Sequence, residues 1–125
     1  MIRTIISIAI TFALIATLSA YEMWYVHTTF DLFREALVSL REKAEKETAT
    51  VEDGRAVQLF WDKKKESLHV WLPHTALQEV DYQLDEAVGF IYTQSYDDAI
   101  PKIEVLIGLS EHIPMSYTFG IQNIF

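Results

Sequence analysis

No cysteine occurs in this chain, which excludes disulfides, thiolate metal sites and cysteine nucleophiles together. Glycine is scarce, four residues in 125 and none clustered, so there is neither a glycine-rich phosphate loop nor a nucleophile elbow. The first glycine is Gly54 and the first proline Pro73, so no helix breaker interrupts the opening fifty residues. Basic charge is in deficit. From Glu22 onward nine Lys and Arg face eighteen Asp and Glu, a net of −9. Such a surface is repelled by nucleic acid and by anionic headgroups, so neither is an expected partner for its bulk.

What the chain does have is an apolar run. Eighteen residues from Thr4 to Tyr21 carry no charge, between Arg3 and Glu22. A helix of that length spans about 27 Å, close to the hydrocarbon thickness of a bilayer. Cleavage as a signal peptide would place Leu18 or Thr17 at the −3 position, where small residues are required. Tyr21, Trp24 and Tyr25 then follow where interfacial aromatics belong. The expectation is an uncleaved transmembrane signal-anchor over residues 1–25. The single Arg3 favours a cytoplasmic N-terminus and an outer C-terminal domain. Ala9, Ala13, Ala16 and Ala20 form one narrow helical face, opposite Ser7, Thr11 and Leu18. Small residues in that register let a second membrane helix approach closely, in a partner protein or in another copy of the chain.

The remainder reads as helices. Phe30, Phe33, Leu37, Leu40 and Ala44 step by three and four, which continues the anchor as one helix to about Glu47. Thr50 is a fitting N-cap for a second helix, with Glu52 and Asp53 in its first turn. The seam of that helix reads Val57, Trp61, Lys64, Leu68 and Trp71, with Leu59, Phe60 and Leu72 beside it, and Pro73 is its expected stop. Thr75 and Gln78 have capping-box spacing for a third helix along Leu77, Val80, Leu84, Ala87 and Ile91. Ser95 opens a fourth, from Tyr96 to His112, with Ala99, Ile103, Leu106 and Ile113 inward. Pro101 is expected in its first turn and Pro114 at its end. Short links favour antiparallel neighbours. The fold class is therefore all-α: an N-terminal membrane helix continuing into a four-helix bundle over 26–114, followed by an apolar tail over 115–125.

Trp61 followed by basic residues, Leu72-Pro73-His74, Tyr96-Asp97-Asp98-Ala99, Leu109-Ser110-Glu111-His112-Ile113-Pro114 and Asn123-Ile124-Phe125 together resemble one family. It is the domain-of-unknown-function 4363 family of spore-forming and related Firmicutes. The resemblance spans nearly the whole chain. It implies a membrane-tethered helical protein of the cell envelope with no assigned activity, and a membrane partner of the multi-pass YetF-like type.

Site chemistry is sparse. His69 and His74 are five apart across Pro73 and share no helical face, unlike a metal pair at spacing three or four. Asp81 and Asp85 read as the wet side of the third helix, and Lys63-Lys64-Lys65, bracketed by Asp62 and Glu66, as a solvated face. No catalytic residue, metal ligand or cofactor is expected, and the chain reads as a non-enzyme. Candidate partner or groove contacts are Trp61, Trp71, Tyr92, Phe119 and Phe125. The favoured function is an accessory subunit of a membrane complex. The alternative is an extracytoplasmic ligand-binding or sensing bundle, with Trp61, Trp71 and Tyr92 around an apolar pocket.

Overall fold

The computed structural model describes residues 1–117; the expectations for Phe119, Phe125 and most of the apolar tail lie outside the described residues. Four helices follow one another: α1 (Ile2–Glu45), α2 (Val51–Leu68), α3 (His74–Tyr92) and α4 (Tyr96–Tyr117). No strand is present among the described residues.

The all-α architecture agrees with the reading from periodicity. α1 is continuous over 44 residues, about 66 Å at 1.5 Å per residue. Its first half is almost wholly exposed, and burial begins at Glu22 and Val26 and continues along the expected seam. α1 packs on α2 and α4, and α3 on α2 and α4, which closes a four-membered ring. The pairings fix an up-down order. Lys43 meets Asp53 and Phe33 stacks on Phe60, so α2 returns along α1. Trp61 reaches Asp81 and Gln58 reaches Asp85, so α3 reverses again. Lys102 meets Glu86, and Arg34 meets Glu111, so α4 runs antiparallel to both α3 and α1. The bare half of α1 leaves the bundle beside the α2–α3 turn and the end of α4, here termed the near end. The α1–α2 and α3–α4 turns form the far end.

Capping explains some boundaries and corrects others. Thr50 and Asp53 form a reciprocal box: the Asp53 N–H donates to Thr50 Oγ1 at 3.3 Å, and the Thr50 N–H donates to Asp53 Oδ2 at 2.9 Å. The expected box at Thr75 and Gln78 does not form. α3 begins at His74 with Pro73 as N-cap, and Gln78 instead donates to the Tyr82 hydroxyl at 2.9 Å. α2 stops at Leu68, short of Trp71. Proline at 73 disfavours helical geometry at Leu72, so the reversal occupies the preceding residues, with Trp71 and Leu72 N–H groups returning to the Leu68 carbonyl. Pro101 lies in the second turn of α4, not the first, and Pro114 does not end it. A proline within a helix costs about 3 kcal/mol. Ile113 is buried in the core and Pro114 is buried beside it, and α4 continues to Tyr117.

The core holds the expected seams of α1, α3 and α4 and, from α2, Val57, Trp61 and Leu68. Lys64 and Trp71 are only partly buried, and Leu59 is exposed. At Gly54 the helices come close: a β-carbon there would sit 3.2 Å from a Val88 methyl. Glycine is what lets α2 and α3 approach at that level.

Candidate functional site

The N-terminal rod is the first surface to consider. Ala9, Ala13, Ala16 and Ala20 are all exposed, as are the apolar side chains around them. Two of the run's hydroxyls are satisfied within the helix. Thr11 Oγ1 donates to the Ser7 carbonyl and Thr17 Oγ1 to the Ala13 carbonyl, both at 2.8 Å. One helix of the chain is thus long and apolar enough to cross a bilayer, and that apolar window is wholly unburied. At its end Tyr21 lies 6.1 Å from Trp24 and 6.0 Å from Tyr25 between ring centroids. These rings cluster on one face of α1 at the boundary between the rod and the bundle.

The candidate contacts in the bundle are spread along it. Trp61 is 1% exposed, with its ring 5.0 Å from Phe33 and 5.9 Å from Phe30, and fills the bundle's centre. Trp71 is partly buried in the near-end turn, and Tyr92 is 68% exposed at the far end. The three do not surround a common pocket. Tyr92 instead lines an open groove of about 380 Å³ between the two far-end turns, with Glu47, Glu52, Gln94 and Tyr96. Tyr96 closes the floor by donating its hydroxyl to the Ala49 carbonyl at 2.8 Å. Glu47 and Gln94 both adopt positive φ, 59° and 58°, just after a helix end, where the chain commonly turns left-handed.

Asp81 plays a part that periodicity alone did not reveal. Its carboxylate accepts the buried Trp61 indole N–H at 2.6 Å and two contacts from Lys65 Nζ at 3.3 Å. It is thus the polar partner of the largest core side chain, not simply a wet residue. Asp85, one turn on, accepts from Gln58 at 3.1 Å and is exposed. The lysine run is likewise divided: Lys65 belongs to the Asp81 network, and Lys64 lies 6.0 Å above the Phe60 ring. The Thr50 N–H, then the Lys43 ammonium, hold the Asp53 carboxyl below the ordinary aspartate value.

His69 and His74 share no helix, yet the turn between α2 and α3 stacks their rings, with centroids 5.5 Å apart. Parallel rings do not converge two nitrogens on one ion. Among the described residues no group of three or more His, Asp or Glu could hold a metal. His112 sits in α4 with Nε2 3.1 Å from the Ser116 hydroxyl.

The chain matches no family model, no curated protein and no solved structure.

Proposed function

We propose that this protein is a single-pass envelope protein, anchored by α1 with its N-terminus cytoplasmic and its bundle outside. It works by contact as a non-enzymatic accessory subunit of a membrane complex. The observation that carries this reading is the form of α1. One unbroken helix has an exposed apolar half and a second half built into the core. Bundle and rod are therefore mechanically one piece, and a partner gripping one orients the other. The acidic bundle surface supports the same placement; we further propose membership of the domain-of-unknown-function 4363 family, with a YetF-like multi-pass protein as the partner class. Within lipid the alanine face is the contact, because small side chains let helix backbones pack closely.

The test uses the absence of cysteine. Single cysteines at Ala13 and Ala16, and at Thr11 on the opposite face, are introduced in the native membrane and treated with a bifunctional thiol reagent or oxidant. Ala13→Cys and Ala16→Cys are expected to yield a discrete heavier species while Thr11→Cys does not. Monomer at all three positions, or equal adducts at all three, would contradict the contact face.

A further inference from the structure

We infer that the near end of the bundle is itself a lipid-contact surface, with the α2–α3 turn at residues 69–73 seated in the interfacial layer of the bilayer that holds α1. The inference rests on the membrane placement of α1 proposed above, and adds a second point of attachment.

Charge distribution is the first support. Three segments far apart in sequence meet at the near end: Met23–Phe30 of α1, 67–78 around the α2–α3 turn, and 112–117 at the end of α4. None of them contains an Asp, Glu, Lys or Arg. The only charged residue at that level of α1 is Glu22, and its side chain is buried. All four histidines, His27, His69, His74 and His112, fall within these three segments. A domain of net −9 has thus been cleared of ionic side chains at the end from which α1 departs. A face held in bulk water has no need of that clearance. A face pressed against headgroups does, since carboxylates there would be repelled by lipid phosphates and desolvated on approach.

Height is the second support. Trp61 of α2 lies against both Phe33 and Phe30 of α1. From that level α2 runs seven residues to Leu68, about 10 Å, and the same distance back along α1 reaches Met23 to Val26. The α2–α3 turn, which continues past Leu68, is therefore level with Trp24, about one helical turn from the end of the apolar run at Tyr21. Chemistry at this level fits the layer. Val70 is 73% exposed at the tip of the turn, Trp24 63% and Tyr21 52%, with Trp71 partly exposed beside them. Aromatic rings with one polar edge, histidines and a single aliphatic tip are side chains suited to the headgroup–acyl boundary. Leu68 and Leu72, on either side, are buried in the core and fix the turn's position. The occupant is lipid, because the same face is continuous with the helix that enters lipid.

The experiment uses full-length protein in phosphatidylcholine vesicles, with one nitroxide-labelled cysteine at a time. Val70→Cys reports the turn, Leu14→Cys the span and Tyr92→Cys the far end; all three side chains are exposed, so the fold tolerates the labels. Collisions with an aqueous nickel chelate and with oxygen, which concentrates in lipid, are compared. At residue 70 the nickel collision rate is expected to fall severalfold below that at 92, with oxygen access raised towards that at 14. Nickel access at 70 equal to that at 92, with 14 still lipid-like, overturns the docked turn and leaves the anchor standing. Low access to both reagents at 70 means protein covers the turn, which also overturns the lipid occupant. Aqueous behaviour at 14 overturns the membrane placement and this inference together.

Discussion

Asp81 shows how one side chain ties two helices. Trp61 buries the largest ring in the bundle, and its indole N–H needs an acceptor that water cannot supply. Asp81 provides it from α3, and Lys65 balances the carboxylate. Asp81→Ala is expected to cost about 1–3 kcal/mol, the usual penalty for stranding a buried donor. Asp81→Asn, which keeps an acceptor, should lose less. Thermal unfolding of the full chain in detergent, followed by circular dichroism, orders the two; equal loss would mean the indole bond contributes little. This partnership was not legible in the sequence, because it joins residues twenty apart across a turn. Helical periodicity places Asp81 on the polar flank and says nothing of what faces it. The seam residues were legible, since every seam residue expected in α1, α3 and α4 is buried.

Among the elements, α2 is the one whose ends are most instructive. Its N-terminus could be read directly from Thr50, Glu52 and Asp53, because a cap is a local matter. Its C-terminus could not, because apolar periodicity runs on through Trp71 while Pro73 imposes the turn earlier. Thr50→Ala is expected to lower stability by about 1 kcal/mol. Asp53 adds a pH dependence whose sign follows from its lowered pKa. The contribution is complete above the ordinary value near 3.8, declines as pH falls below it, and is gone below the folded value. Asp53→Asn should therefore narrow the gap to wild type on acidification, read as converging melting temperatures. Two glycines make opposite predictions. Gly54→Val drives methyls into Val88 and should cost about 1–3 kcal/mol. Gly108→Ala, in the middle of α4 with nothing within 4 Å of the new methyl, should stabilise by about 0.5–1 kcal/mol. A loss at Gly108 as large as at Gly54 would contradict the packing described.

For the molecule as a whole, the arrangement is a rod and a bundle sharing one helix. The rod's apolar length and the bundle's four amphipathic faces were both visible in the sequence, since each is a property of spacing along the chain. The convergence of three uncharged segments at the near end was not, because it depends on which way each helix runs. The far end is the more polar, with a groove bordered by Glu47 and Glu52. The two ends of the bundle thus differ in polarity. The most direct test is the sidedness of two introduced cysteines in sealed cells, probed with a membrane-impermeant maleimide. Leu59→Cys, exposed on α2, should react from outside, while Ile2→Cys should react only after lysis, with the protein retained in the membrane through alkaline washing. Equal reactivity at the two positions, or release of the chain into the aqueous fraction, would contradict a helix that crosses the bilayer and carries the bundle on its outer side.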